Sequence, residues 1–150
     1  MPSISHMLWF DNQAEEAVNL YTSIFEDSKI LSKSPRPDGG VFTIEFELLG
    51  AKYTALNGGP MFSFTEAFSI FILCKDQAEV DKYWDALIAD GGTPGNCGWL
   101  KDKFGLSWQI IPQQLGECLG NPDPAKAAAA MQAMLGMSKL IVSELEAAVK

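Results

Sequence analysis

The chain has 150 residues, of which 19 are acidic and 11 are Lys or Arg, so its formal net charge is −8 at pH 7. This length is enough for one domain with a core, and no segment approaches the roughly 20 apolar residues that a membrane span needs. The acidic balance excludes nucleic acid and anionic membrane as expected partners, because binding either needs clustered Lys and Arg. Small molecules and other proteins remain as the expected partners.

The cysteines and the N-terminus bear on the compartment. Cys74, Cys97 and Cys118 are odd in number and widely spaced, a pattern that predicts neither a disulfide framework nor a zinc ribbon. No basic start is followed by an apolar run and a small-residue cleavage site. We therefore expect a cytoplasmic protein.

The first part of the chain predicts a strand, a helix and three more strands. The apolar run 4–10 predicts the first strand. Asn12 and Glu15 have capping-box spacing before a helix with one apolar face. Further strands are expected over residues 29–34, 41–49 and 53–56.

The strand over residues 41–49 alternates between apolar and polar side chains. Because successive side chains of a strand point to opposite faces, Glu45 and Glu47 share the face opposite the apolar residues. That face is either solvated or turned into a concavity.

The same order returns in the second part. Residues 68–74 predict a strand, and Asp76 with Glu79 predicts the start of a helix that ends at Gly91-Gly92. Strands follow around Thr93, around Trp99 and over residues 106–111. Both helices open with Gln-Ala-Glu, and the matching order predicts two related βαβββ units.

Gln109 is an amide in the middle of an otherwise apolar strand. If its face is closed, it must find hydrogen-bond partners, and a ligand pocket is one place that provides them. Asp102 and Gly105 predict the turn before this strand, with Gly105 at a positive φ. Trp108 points the other way and is expected in the core.

The end of the chain predicts helices. Asp123-Pro124 is typical of a helix start and Gly136 of its end. Ser143 and Glu146 have capping-box spacing for a last short helix. The apolar stripe of the longer helix must be buried; it consists of Met131, Met134 and Leu135.

Four motifs carry a family resemblance: LWFD at 8–11, NGGP at 57–60, DQAEV at 76–80 and CGWLKD at 97–102. With the tandem βαβββ order, they resemble the PhnB-like branch of the vicinal oxygen chelate (glyoxalase/bleomycin-resistance/dioxygenase) superfamily. Members of that branch are often labelled demethylubiquinone methyltransferase-type proteins.

The resemblance implies an α+β fold in which two tandem βαβββ units form a curved mixed sheet with a concave pocket, plus a helical C-terminal tail. We expect one glyoxalase-like domain over residues 1–150, with unit one at 1–60, unit two at 66–112 and the tail at 113–150. It also implies a homodimer. The tail helix and the exposed ends of short sheets, which need covering, favour the same assembly.

In metal-using members of the superfamily, His and Glu side chains from the first and last strand of each unit hold a divalent ion. The matching positions here are His6, Thr54, the Ser69–Ile70 region and Gln109. One imidazole with an amide and hydroxyls is a poor donor set for zinc, iron or nickel. We therefore expect no metal and no other cofactor. No glycine-rich loop typical of S-adenosylmethionine binding is present either.

We predict a substrate-binding set and name no catalytic residue; the set is His6, Glu45, Glu47, Thr54, Asn57, Phe64, Trp99 and Gln109. His6 and Gln109 are expected to converge on one cavity with Glu45 or Glu47 nearby. A structural, hydrogen-bonded role is the alternative for His6.

The resemblance implies a small-molecule-binding protein of the glyoxalase-like superfamily with a degenerate metal site, and it assigns no physiological activity. The alternative is an enzyme acting on a small hydrophobic or aromatic substrate, either a metal-assisted lyase, isomerase or dioxygenase or the methyltransferase of the family label.

Overall fold

The computed structural model describes all residues, 1–150. The chain forms two compact units, Met1–Phe64 and Thr65–Lys150. The fold is α+β, as predicted, and each unit has a four-stranded mixed sheet. That the units make up one domain stays a prediction.

Unit one runs strand, helix, three strands. Its elements are β1 (His6–Phe10), α1 (Ala14–Ile24), β2 (Ser28–Pro35), β3 (Val41–Leu48) and β4 (Ala51–Asn57). The strand order is β1-β4-β3-β2, in which β1 is parallel to β4 and the other pairs are antiparallel.

Unit two repeats that order and adds the tail. Its elements are β5 (Ser69–Cys74), α2 (Gln77–Ile88), β6 (Thr93–Pro94), β7 (Trp99–Lys101), β8 (Ser107–Pro112), α3 (Gln113–Leu119), α4 (Pro124–Leu135) and α5 (Val142–Ala148). The strand order is β5-β8-β7-β6, with β5 parallel to β8. The two tandem βαβββ units and the helical tail are thus confirmed.

One face of each sheet packs on the helix of its own unit. In unit one, Ile44 and Phe46 of β3 are fully buried, as the alternation predicts, and α1 contacts β3. In unit two, Trp108 and Ile110 of β8 are fully buried, and α2 contacts β8. The opposite face of each sheet does not pack on that helix.

The two sheet-packed helices begin differently. Asp76 caps α2 as predicted, since its Oδ1 accepts a hydrogen bond from the Glu79 N–H at 3.0 Å. The prediction for Asn12 is wrong, because the N-cap of α1 is Gln13 and makes no side-chain capping bond. The distant Asn57 replaces it, with Oδ1 accepting from the Ala14 N–H at 2.9 Å.

The tail helices α4 and α5 also begin in these two ways, α4 with a cap from a neighbouring residue and α5 with a cap from a distant one. Asp123 Oδ1 accepts from the Ala125 N–H at 3.0 Å, and α4 ends at Gly136, both as predicted. The prediction that Ser143 opens the last helix is wrong, because α5 begins at Val142. The Val142 N–H donates instead to Gln77 Oε1 of α2 at 2.7 Å.

The tail has its own core, which includes the fully buried Ala130, Leu140 and Leu145. The Ala130 side of α4 is the side that packs inward. Met131 and Leu135 lie outward, 40% and 55% exposed, so the expected burial of the whole stripe is wrong within this chain. No helix has the length and apolar character of a membrane span.

Candidate functional site

The polar centre of the second sheet is Gln109, on β8. Its register partners are Phe71 on β5 and Trp99 on β7. All three side chains share the face opposite α2, since the alternate residues Trp108 and Ile110 are buried against the helix. An amide therefore lies between two aromatic residues on neighbouring strands.

Gln109 is half-buried, and its side chain makes one hydrogen bond within the chain. Its Nε2 donates to Ser69 Oγ at 3.0 Å. Gln109 Oε1 is thus left available as an acceptor, and the Ser69 hydroxyl keeps its proton for another acceptor. The pair can bind a group that both donates and accepts hydrogen bonds.

A cavity of about 560 Å³ opens on this face, within the roughly 300–1,000 Å³ of typical small-molecule sites. Its lining is mostly apolar and comes from the sheet, α3 and α4; it consists of Phe71, Leu73, Cys97, Trp99, Gln109, Ile111, Pro112, Gln113, Leu115, Gly116, Glu117, Leu119 and Met134. Such a cavity, with one central amide, can hold an apolar molecule and orient it by a hydrogen bond.

The turn between β7 and β8 fixes the register that puts Trp99 opposite Gln109. Asp102 is 3% exposed, and its Oδ1 accepts from the Phe104 and Leu106 N–H groups at 2.8 and 3.1 Å. Its Oδ2 accepts from the indole N–H of Trp108 at 2.9 Å. Gly105 has the predicted positive φ, +86°.

A second cavity of about 510 Å³ borders Trp99 from the β6–β7 side. Ser107 lines this cavity and is 1% exposed, and its Oγ has no hydrogen-bond partner. Lys101 and Glu66 also line it and form an ion pair. That contact lowers the pKa of the Glu66 carboxyl.

The predicted residues of unit one divide between the two faces of its sheet. Thr54 is in register with Met7 and with Glu45. His6 is in register with Tyr53, at 5.8 Å between ring centroids, and so lies on the α1 side with the buried Phe46. The expectation that His6 lies near Glu45 or Glu47 is wrong.

His6 lies on the α1 side because alternate side chains of β1 point to the same face of the sheet. Leu8 and Phe10 are buried and define the α1 side, and His6 has the same parity. Met7 instead takes the position beside Thr54. Met7 and Trp9 are apolar too, so the sequence of β1 does not distinguish its two faces.

Glu45 and Glu47 lie on the face opposite α1, as predicted, and both have local partners. Ser32 Oγ donates to Glu45 Oε2 at 2.8 Å. Lys29 Nζ lies 3.8 Å from Glu47 Oε2.

Asn57 and Phe64 make structural contacts in unit one. Asn57 is 7% exposed, and besides capping α1 its Nδ2 donates to the Val41 carbonyl at 3.0 Å. Phe64 packs edge-on against Phe10, at 5.2 Å between ring centroids. Both amide ends of Asn57 are therefore used by the backbone.

The residues at the family's metal positions do not fit a transition metal. Nowhere do three or more His, Cys, Asp or Glu side chains come together as a metal site. Thr54, Ser69 and Gln109 offer hydroxyl and amide oxygens, and the single imidazole lies on the other face of its sheet from Thr54. Transition metals prefer imidazole, thiolate and carboxylate donors.

Sequence reasoning missed Phe71 and the tail residues Leu115, Leu119 and Met134 of the cavity. The signal for Phe71 was present, because it shares parity with Ser69 on β5. The tail carried no such signal, since helix patterns do not state which sheet face the helices border.

The comparisons agree with this architecture. The family model described as 3-demethylubiquinone-9 3-methyltransferase matches residues 2–111. The PhnB protein from Bacillus cereus is 31% identical, with a TM-score of 0.68 over 74% of this chain and 99% of that one. No curated protein matches.

Two more distant structures share the fold. A glyoxalase/bleomycin resistance protein from Albidiferax ferrireducens is 16% identical, with a TM-score of 0.51 over 73% of this chain and 98% of that one. The fosfomycin resistance protein FosX from Listeria monocytogenes, complexed with Mn(II) and sulfate, is 16% identical, with a TM-score of 0.54 over 71% and 88%. The chain therefore belongs to the 3-demethylubiquinone-9 3-methyltransferase family, in the PhnB-like branch of the vicinal oxygen chelate (glyoxalase/bleomycin-resistance) superfamily.

Proposed function

We propose that this protein binds a small organic molecule on the face of the second sheet opposite α2. The observation that carries the proposal is the half-buried amide of Gln109 in a mostly apolar cavity, between Phe71 and Trp99. An amide oxygen at such a place recognises a hydroxyl or N–H group of a ligand. The aromatic neighbours offer broad apolar contact.

The donor chemistry supports binding of an organic group rather than a metal ion. Gln109 and Ser69 are neutral and already hydrogen-bonded to each other, so a ligand meets a preformed pair. A ligand hydroxyl can donate to Gln109 Oε1 and accept from the Ser69 hydroxyl. Binding then costs little ordering of side chains.

The test compares two ligands of similar shape, 2-naphthol and 2-methylnaphthalene, by displacement of the dye Nile red. We expect the wild type to prefer 2-naphthol by about 2–10-fold, because a hydrogen bond contributes roughly 0.5–1.5 kcal/mol. Gln109→Leu should abolish that preference while it keeps affinity for 2-methylnaphthalene. Gln132→Leu, an exposed position on α4, is the matched control and should keep the preference.

Two outcomes contradict the proposal. If the wild type binds none of Nile red, 2-naphthol and 2-methylnaphthalene, the proposed ligand site does not exist. An unchanged preference in Gln109→Leu would mean that the amide does not contact the ligand. Thermal unfolding of each variant checks that the fold is intact.

Three further features of this protein are proposed: binding residues in unit one, a cytoplasmic location and a homodimer. The predicted binding residues of unit one stay predictions; they are His6, Glu45, Glu47, Thr54, Asn57 and Phe64. A cytoplasmic location also stays a prediction. The homodimer is supported by Phe71 and Leu73 on the edge strand β5, which are 53% and 64% exposed. Light scattering at micromolar concentration tests it, and a monomeric mass would contradict it.

A further inference from the structure

The C-terminal tail is an addition to the family's domain. The family model ends at residue 111, and the B. cereus PhnB protein is matched over 99% of its length by 74% of this chain. About a quarter of this chain thus has no counterpart in that protein. The helices α3, α4 and α5 lie beyond the last residue that the family model matches.

The tail is attached to the second sheet beside the cavity. The N–H groups of Cys97 and Gly98 donate to the carbonyls of Met137 and Ser138, each at 2.8 Å. Lys139 Nζ lies 2.8 Å from Asp81 Oδ1 of α2. The two backbone bonds hold the tail against the segment that leads into β7, which carries Trp99. The ion pair holds it against α2.

The tail forms one wall of the Gln109 cavity. Leu115 and Leu119 of α3 and Met134 of α4 line it. The one charged side chain in the lining is Glu117, also from α3. The wall is therefore apolar with a negative charge, which disfavours an anionic ligand.

Gly116 stands in the middle of α3 and lines the cavity. Its φ is not in the left-handed region, and a Cβ built on it would meet no atom within 4 Å. Neither backbone conformation nor close packing requires a glycine there, although glycine weakens a helix relative to alanine. Its distinguishing effect is the space that it leaves in the cavity.

We propose that α3 and α4 form the specificity-determining wall of the ligand site and that Gly116 keeps room there for the ligand. The ligand class is an uncharged molecule with a flat apolar body, whose hydrogen-bonding group lies at Gln109 and whose apolar end contacts Leu119 and Met134. This inference rests on the proposed function and extends it to the tail.

The first test is Gly116→Leu, measured by Nile red affinity and by thermal unfolding. We expect affinity to fall at least tenfold, because the new side chain fills the cavity, while the unfolding temperature stays equal or rises. Gly116→Ala should raise the unfolding temperature and lower affinity less than threefold. Affinity and stability thus change in opposite directions, which a merely structural role would not produce.

The second test uses neighbours on α4. Met134→Trp should lower Nile red affinity, whereas Leu135→Trp, on the exposed side of the helix, should not. This pair decides the inference if Gly116→Leu fails to fold. Glu117→Gln should improve binding of the anionic dye 1-anilinonaphthalene-8-sulfonate more than binding of Nile red, because it removes the negative charge of the wall.

The failure of each proposal has its own signature. Wild-type protein that binds no dye would overturn both proposals. Wild-type binding with the expected Gln109→Leu result, but with wild-type affinity in both Gly116→Leu and Met134→Trp, would overturn the role of the tail alone. Equal losses in Met134→Trp and Leu135→Trp would also overturn it.

Discussion

The two units have the same strand order but different side chains at equivalent positions of the sheet face opposite the helix. The three central positions, on the first, fourth and third strands of each unit, make the comparison. They hold Met7, Thr54 and Glu45 in unit one and Phe71, Gln109 and Trp99 in unit two.

The difference shows how one backbone pattern supports two kinds of surface. In unit one the hydroxyl-bearing Thr54 lies beside Glu45, whose carboxylate accepts a hydrogen bond from Ser32. In unit two an amide lies between aromatic residues, and the tail closes one side of the cavity. The chemistry of such a fold depends on a few side chains and on what is attached to the sheet.

The largest expected effect tests the turn that supports the aromatic positions of unit two. Asp102→Ala leaves three donors without a partner, two of them buried and one partly buried, so we expect a loss of about 3 kcal/mol or more in the free energy of unfolding. Urea unfolding measures it. Asp102→Asn keeps the acceptor for the two backbone N–H groups and loses the Trp108 bond, so it should cost about half as much.

A matched control for that turn is Asp123→Ala, which removes one exposed helix cap. It should cost about 1 kcal/mol. Equal losses in Asp102→Ala and Asp123→Ala would mean that the buried turn is no more important than a surface cap.

The next effect tests unit one. Asn57→Ala removes the acceptor for the Ala14 N–H and the donor to the Val41 carbonyl, and we expect a loss of about 1–3 kcal/mol. Pro112 holds the equivalent position in unit two, where no such amide exists. Hydrogen exchange should therefore increase first in α1 and β3. Increased exchange confined to unit two would contradict this assignment.

The smallest effect concerns pH and the tail, which only unit two carries. Hydrogen bonds from Lys139 and Gln77 lower the pKa of the Asp81 carboxyl below its ordinary value of 3.8. A lowered pKa stabilises the fold above the unfolded value, and this contribution is lost as pH falls through the folded value.

Because the Asp81 side chain is 45% exposed, we expect less than about 1 kcal/mol. The unfolding temperatures of wild type and Asp81→Asn should converge as pH is lowered from 6 to 3. A constant difference over that range would show that the ion pair contributes no pH dependence.

The sequence predicted the fold because both units repeat strong local signals. Alternation in β3 identified the buried face, and Asp76 marked the start of α2. The same alternation in β8 put Trp108 on the buried, helix-side face and Gln109 on the opposite face. Each of these signals lies within about ten residues of the feature it predicts.

The sequence failed where the deciding partner is distant. Asn57 caps a helix 43 residues away, and Gln77 caps one 65 residues away. Neither pairing leaves a local signal. The predicted position of His6 was wrong for another reason. Both faces of β1 carry apolar side chains, so the sequence did not show which face is buried. The contribution of the tail to the cavity was missed because it arises only from packing.

The burial of two thiols makes this protein simple to label. Cys74 and Cys118 are buried, and loss of solvation raises the pKa of Cys74 to about 12 and also raises that of Cys118. Cys97 is half-exposed and borders the Gln109 cavity. A maleimide fluorophore should therefore attach at this one position without removal of any native cysteine. The attached dye would then be a reporter beside the cavity, with Cys97→Ser as the unlabelled reference.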